Sequence, residues 1–536
     1  MTHPEQLLPP MKWNAWGDPA SAKPLSDGIR SLLKQAVGLQ DSQETELTPD
    51  QVQLRPSSLP QADRDALAGI VGAEYCRVDD RERLLHAGGK STLDLLRRKD
   101  TGVQDAPDAI LLPGDDDAVR KILRYCSEHG IAVVPFGGGT SVVGGLDPIR
   151  GDFGAVVALD LRRFDQLISL DEVSGQAVLG AGLTGPDAER LLGEHGFSLG
   201  HFPQSFQYAT IGGFAATRSS GQGSAGYGRF NDMVRGLRMI TPAGTLDLGR
   251  GPESAAGPDL RQLLIGSEGT FGVITQVRLR VHRAPEAVSY EAWSFPDFAT
   301  GAAALRAVTQ NASGPTVIRL SDEAETGVNL ATTEAIGENQ ITGGCLGITV
   351  FEGTKEHVES RHAETSALLA AQGGTSLGDG PAQAWERGRF GAPYLRDSLL
   401  AAGALCETLE TATDWSNLAA LKAAVTEALT TALAETGTPA LVMCHISHVY
   451  PTGASLYFTV VAGQRGNPIE QWQAAKKAAA DAIIATGGTI THHHAVGADH
   501  RPWMRDEVGD LGVQVLRAVK TTLDPAGILN PGKLIP

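Results

Sequence analysis

The sequence predicts an α+β protein of two or three domains, on three observations. A β-α-β alternation opens at Ala109, Ala-rich helices alternate with paired strands beyond residue 285, and 64 of the 536 residues are glycine, well above the ~7% of average proteins. A chain of this length exceeds what one hydrophobic core organises. Ala109 to Leu112 is a short apolar strand and Pro113-Gly114 a turn. Asp115 to Asp117 open a helix, where acidic side chains cap free N–H groups and complement the dipole. Val119, Ile122, Leu123 and Cys126 then recur at helical spacing, Gly130 ends the helix, and Ile131 to Pro135 forms the next strand.

Further strands are expected at Ala155–Leu161, Gln176–Leu179, Phe197–Phe202, Met239–Thr241 and Val273–Val281. Leu418, Leu421, Val425, Leu429 and Leu433 mark an amphipathic helix closed by Gly437. Leu441–Val449 and Ser455–Val461 read as strands paired around Pro451-Thr452-Gly453, and Gln471–Ala485 as an Ala-rich helix. The division is a mostly helical segment at 1–102, with helices at Ser26–Val37 and Asp94–Arg97, a first domain at 103–284, a second at 285–488, and a C-terminal segment at 489–536 that returns to the first.

Lys+Arg 45 against Asp+Glu 62 leaves a net charge of −17, which excludes a general nucleic-acid binder but not a small anionic ligand. No apolar run approaches the roughly 18–20 residues that span a bilayer. Five scattered cysteines form neither a disulfide framework nor a zinc ribbon. Neither a secretory leader at the N-terminus nor a peroxisomal tripeptide in the final GKLIP is visible, so the expectation is a cytoplasmic protein.

Four glycine-rich segments suit a phosphate. Pro135-Phe-Gly-Gly-Gly-Thr-Ser141 follows a strand, and three consecutive glycines let backbone N–H groups crowd around an anion, with hydroxyls from Thr140 and Ser141. Gly180–Gly185 has the G-x-G-x-x-G spacing, but no acidic residue follows at the end of the next strand, so strand-terminating turns explain it better than a nicotinamide site. Gly221–Gly226 follows no strand. Gly266–Ile274 is a turn opening into an apolar strand.

In order, PFGGGTS, PQSFQYATIGG with ATRSSG, and GSEGTFGVIT resemble the flavin domain of the vanillyl-alcohol-oxidase and p-cresol-methylhydroxylase superfamily. The resemblance implies a two-subdomain FAD-binding domain of that PCMH/VAO type, an α/β cap domain with an antiparallel sheet, and FAD held without a covalent link. The implied contacts are Pro135, Phe136, Gly137, Gly138, Gly139, Thr140 and Ser141; Pro203, Gln204, Ser205, Phe206, Gln207, Tyr208 and Ala209; Ala216, Thr217, Arg218 and Ser219; and Glu268, Gly269, Thr270, Phe271, Gly272, Val273 and Ile274.

Within the superfamily, the 2-hydroxy-acid branch carries two metal-holding histidines where this chain has Tyr450 and Tyr457. Met11–Gly17 (MKWNAWG), Val317–Leu320, Tyr394–Asp397, Ser455–Phe458 and His492–Gly497 (HHHAVG) instead resemble the alkyldihydroxyacetonephosphate synthase family from end to end. That family exchanges the acyl group of acyl-dihydroxyacetone phosphate for a long-chain alcohol through a flavin N5 adduct, forming an ether-lipid precursor. The alternative is a FAD-dependent oxidase or dehydrogenase of a hydroxy acid or alcohol. The resemblance implies Tyr457 as acid/base, Arg396 as substrate-binding cation, and Arg319 with His492, His493 and His494 as further catalytic residues. His492 and His494 are expected to share one face of a strand, and no metal is expected. A salt bridge to Asp397 or Glu386 is the other reading of Arg396, and Arg319, a charge in an apolar strand that must be paired, could equally fix a carboxylate behind the flavin; His445 and His448 are kept as pocket lining. Expected partners are lipid substrates, a second copy of the chain and peripheral contact with a membrane, not nucleic acid.

Overall fold

The computed structural model describes residues 11–22, 24–40, 47–312, 314–332 and 344–536; residues 1–10, read above for a leader, lie outside them. The first helix, α1 (Asp27–Val37), is capped by the Ser26 hydroxyl and stopped by Gly38 in the left-handed region. The N-terminal stretch is more than helices, because β1 (Cys76–Arg77) pairs with β2 (Ala109–Leu111). α2 (Asp116–His129) is capped by Asp115, buries Val119, Ile122, Leu123 and Cys126, and ends at Gly130, as its spacing predicts. β3 (Ile131–Phe136) and β4 (Ala155–Asp160) complete a sheet of order β1-β2-β4-β3, parallel apart from β1.

A second, antiparallel sheet has the order β8-β7-β9-β6-β5, from β5 (Leu167–Asp171), β6 (Gln176–Gly180), β7 (Val234–Thr241), β8 (Gly244–Leu248) and β9 (Val273–Arg280). Ala181, Ile240 and Val273 reach into the core of the first sheet, so the two share an apolar seam. Between β6 and β7, α3 (Ile211–Thr217) buries Phe214 and Ala215 against the second sheet. The strand expected at Phe197–Phe202 shrinks to Phe197–Ser198, since Gly200 turns the chain at φ +72°.

The cap is one seven-stranded antiparallel sheet of order β13-β10-β12-β11-β15-β16-β14: β10 (Ala287–Phe295), β11 (Val317–Ser321), β12 (Cys345–Gly353), β13 (Thr375–Gly378), β14 (Ala404–Asp414), β15 (Ala440–Val449) and β16 (Gly453–Gly463). α4 (Glu323–Thr332) follows β11, and α5 (Ala392–Ala401) precedes β14. α6 (Leu418–Glu435) and α7 (Pro468–Ala485) bury Leu421, Val425, Leu429 and Trp472 against Ile446, Leu456 and Phe458 on one face of the sheet. The other face carries the candidate site.

The chain then returns. α8 (Met504–Leu523) lays Met504 and Leu523 on the core of the second sheet. Leu529 bridges Val133 in parallel, covering the free edge of β3. No helix among the described residues is long and apolar enough to cross a membrane.

Candidate active site

The flavin loops are built by backbone packing. A Cβ on Gly138 would lie 1.9 Å from the Tyr208 carbonyl oxygen, and one on Gly137 2.4 Å from Thr210 Oγ1. The glycines therefore let the 137–141 loop press against the 203–209 loop, where proximity to a ligand was the expected reason. Among the described residues, none of the five consecutive N–H groups of Gly137 to Ser141 donates a hydrogen bond, and Gly139 sits at φ +70°. Such a run is a nest for an anion. Gln204 Nε2, Ser267 Oγ and Thr270 Oγ1 are buried without a partner in neighbouring loops. These unspent donors fit the diphosphate and ribityl hydroxyls of FAD.

Several expected contact residues have other employment. Ser141 Oγ accepts from Gly145 N–H, Thr217 Oγ1 donates to Gly213 O, Arg218 donates to Gln262, and Ser219 Oγ meets His201. Phe206 stacks on Phe390, Pro135 fills the space against Gly269, and Phe271, Val273 and Ile274 send their side chains into the cores. Glu268, at φ +49°, accepts from the N–H groups of Val496 and Gly497, and burial pushes its carboxyl up to about 7.

The cap site is a row of direct neighbours across four strands. Ser321 of β11 lies opposite His445 of β15, His445 opposite Tyr457 of β16, and Tyr457 opposite Glu410 of β14. Alternation puts Arg319 on the same face as Ser321. The Tyr457 hydroxyl donates to Thr408 Oγ1 at 3.0 Å, and burial raises its pKa above the ordinary phenol value. The His445 ring stacks on it with centroids 4.9 Å apart.

Two carboxylates absent from the sequence reading organise this row. Glu325, brought over the sheet by α4, accepts from Arg319 Nη2 (2.7 Å), Ser321 Oγ (3.1 Å) and His445 Nδ1 (2.8 Å). Burial opposes its charge, but His445 and Arg319 bring its pKa down to about 2. Arg319 is thus linked to Tyr457 through Glu325 and His445. Glu410 is fully buried and accepts from Thr491 Oγ1 (2.6 Å) and from the backbone N–H groups of His492 (2.6 Å), His493 (3.1 Å) and His494 (2.8 Å). Burial opposes its charge as well, and the histidine rings and Thr491 hold its pKa well below the ordinary value.

The histidine triplet is therefore not a strand. It is a loop wrapped around a carboxylate, so the expected sharing of one face by His492 and His494 alone fails. The rings of His493 and His494 both approach Tyr457, with centroids 6.0 and 5.5 Å away. Tyr450 Oη meets His492 Nε2 at 2.6 Å, and His492 Nδ1 meets His493 Nδ1 at 2.9 Å. Burial lowers the pKa of all three histidines.

A β-bulge joins this loop to the sheet. The register between β15 and β16 slips by one between Ile446 and Val449, so Ser447 and His448 both lie against Ser455. Residues 445 and 448 would point to opposite faces of a regular strand. The bulge brings His448 to the side of His445, where its ring lies 5.0 Å from His492 and 5.2 Å from His493. Ligand atoms of these three histidines lie within 4.8 Å of one another, but His448 Nε2 already donates to Gly221 O and Nδ1 accepts from Ser447 Oγ.

Arg396 takes the salt bridge that was the other reading of it. Buried on α5, it donates from Nε to Asp397 at 3.0 Å and from Nη1 to Lys90 O at 2.6 Å. Its Nη2 lies 2.9 Å from Asp397 without hydrogen-bond geometry, which leaves buried N–H capacity unspent. The N-terminal MKWNAWG segment closes over it: Lys90 Nζ donates to the carbonyls of Lys12 and Trp13, Trp16 N–H donates to Asp397, and the Trp16 ring meets Tyr208 of the flavin loop edge-on at 5.4 Å.

Comparison with known proteins gives the family and the fold. Residues 107–248 match the FAD binding domain family, and residues 284–534 the C-terminal domain of FAD linked oxidases. Alkyldihydroxyacetonephosphate synthase of Dictyostelium discoideum is 32% identical across 99% of this chain and 94% of its own length. The enzyme of that name from Trypanosoma brucei brucei is 32% identical across 98% of this chain and 92% of its own. A solved structure of alkyldihydroxyacetonephosphate synthase superposes with a TM-score of 0.85 at 30% identity, covering 98% of this chain and 99% of the other. This chain belongs to the alkyldihydroxyacetonephosphate synthase family and is an FAD-dependent enzyme whose flavin domain is of the PCMH/VAO type.

Proposed function

We propose that the protein exchanges the acyl group of acyl-dihydroxyacetone phosphate for a long-chain alcohol, giving the alkyl ether and a fatty acid without net redox change. The observation that carries the reading is the place of Tyr457: one phenol between His445 and Glu410, on the face where the histidine loop returns. FAD, when bound, supplies the nucleophile that retains the three-carbon unit during the exchange. Tyr457 stays protonated at neutral pH, since burial raises its pKa, and is suited to donate to a departing carboxylate. Arg396 Nη2 and the His494 ring are donors for the phosphate, and Arg319 with Glu325 fixes the His445 ring that flanks the phenol.

The test is anaerobic incubation of the yellow holoenzyme with palmitoyl-dihydroxyacetone phosphate and hexadecanol. The reading expects alkyl product with the flavin spectrum unchanged after turnover. Bleaching of the flavin by an alcohol or hydroxy acid, with no ether formed, identifies a dehydrogenase instead.

A further inference from the structure

Beside the Tyr450–Gly453 turn, an open cavity of about 530 Å³ has walls that include Tyr450, Gly453, Asp414, Asp506 and Glu507. The three acids are exposed to solvent. Tyr450 also reaches inward, where its hydroxyl meets His492 Nε2 at 2.6 Å; His492 Nδ1 meets His493 Nδ1 at 2.9 Å; and the His493 ring lies beside Tyr457. His493 Nε2 has no hydrogen-bond partner among the described residues. Hydrogen bonds thus link Tyr450, in the wall of a surface cavity, through His492 to His493, whose ring stacks beside the buried phenol with centroids 6.0 Å apart.

We propose that Tyr450, His492 and His493 form a proton relay between solvent in this cavity and the reacting centre at Tyr457. The inference rests on the transferase reading for its purpose, but its geometry does not. Each neutral imidazole carries one N–H, and the line closes in two polarities. In the first, Tyr450 O–H donates to His492 Nε2, His492 Nδ1–H donates to His493 Nδ1, and His493 presents Nε2–H to the site. In the second, every bond is reversed and His493 presents a bare Nε2. Burial, which keeps both rings neutral, favours such a line over a cationic pair.

The exchange has two halves with opposite proton demand. When the C1–O bond to the acyl group breaks, the leaving carboxylate takes a proton and departs as fatty acid. When the alcohol oxygen bonds to C1, its O–H bond breaks and a proton is left over. Tyr457 acting alone would have to remain ionised while one long chain leaves and the next enters, and its burial disfavours that. With the relay, the first half draws one proton inward through Tyr450 and switches the line to its second polarity. The second half sends one proton outward and restores the first. Between the two halves C1 would keep its fourth bond to the nucleophile that FAD would supply, the proton drawn in by the first half equals the one sent out by the second, and no ring has to flip.

Tyr450 and His492 are positioning residues here, so the test needs more than a loss of rate. Tyr450→Phe keeps the ring and removes the hydroxyl. The relay expects a folded holoenzyme with kcat lowered roughly 10-fold or more, KM little changed, and rescue by millimolar imidazole, a diffusible proton carrier. Without substrate, ¹⁵N NMR of the histidine-labelled wild-type holoenzyme is expected to show N–H···N coupling between His492 and His493, with His492 Nε2 losing its partner in Tyr450→Phe. Wild-type kcat in Tyr450→Phe overturns the relay, as does unrescuable loss. So does stoichiometric zinc that disappears in His492→Ala, because a metal would occupy the same nitrogens. If the wild type forms no ether, the transferase reading fails and the NMR couplings alone decide the relay.

Discussion

The flavin loops and the cap site differ in what they are made of. The loops around Gly137–Ser141 are assembled from backbone: missing side chains let two loops touch, and a run of N–H groups is left unspent. The cap site is assembled from side chains whose meeting depends on sheet register, one bulge and two buried carboxylates. The first kind of site has no room for an added atom at Gly138, whereas the second depends on charge and hydrogen bonding between buried side chains.

Gly138→Val probes the first kind and has the largest expected effect. Its Cβ collides with backbone rather than with a movable side chain, so the variant should be colourless and lose at least ~3 kcal/mol of stability, the upper end for overpacking. Flavin absorbance and thermal unfolding check this. Stoichiometric FAD in the variant would mean the two loops can separate without losing the cofactor.

Tyr457→Phe is the counterpart in the cap. Flavin content should be unchanged while turnover falls roughly 10² to 10⁴-fold, the range for a general acid–base group. Near-normal turnover would reduce Tyr457 to a packed aromatic.

Acid should separate the regions more gently. The buried His448 has its pKa lowered to about 4 by burial, while in the unfolded chain it titrates near 6.5. Between those values the unfolded state binds more protons, so stability is complete above about pH 6.5 and declines as pH falls toward 4. His448→Gln should remove up to one proton of that slope, about 1.4 kcal/mol per pH unit. Urea denaturation across that range measures it; unaltered slope would mean His448 titrates normally. Glu325 adds a later loss as pH falls from about 4.5 toward 2, because its pKa is depressed in the folded protein.

Ser447→Ala is the mildest. The hydroxyl bonds His448 Nδ1 and Ser455 Oγ within the bulge, and its loss should cost about 1 kcal/mol. Turnover should change less than in Tyr457→Phe, and a fall of equal size would show that the bulge sets the catalytic geometry.

How far each region was legible in the sequence follows from the same contrast. α2 and α6 were readable because burial repeats at helical spacing within one segment. The close-packed loop at Gly137–Gly139 was readable from consecutive glycines, although the reason for Gly138, the Tyr208 carbonyl, was not. Tyr457, Arg319 and the histidine triplet were singled out by resemblance. Their organisers were missed because Glu325 follows Asp322 and Glu323, and Glu410 follows Glu407, with nothing local to single out either, and only register brings Glu410 opposite Tyr457. The bulge at Ser447–His448 leaves no signature in HISH, which alternation would have split across two faces.

Residues 528–530 have a consequence for how the protein is made. Val133 N–H donates to Ile528 O, Asn530 N–H donates to Val133 O, and Asn530 Nδ2 donates to the carbonyls of Gly145 and Glu268. The strand that feeds the Gly137–Ser141 loop is therefore flanked by residues synthesised nearly four hundred positions later. During translation at ~5–20 residues per second, that interval lasts tens of seconds. Throughout it the edge of β3 that residues 528–530 cover in the folded protein presents unpaired backbone groups, the kind of edge on which another strand can pair.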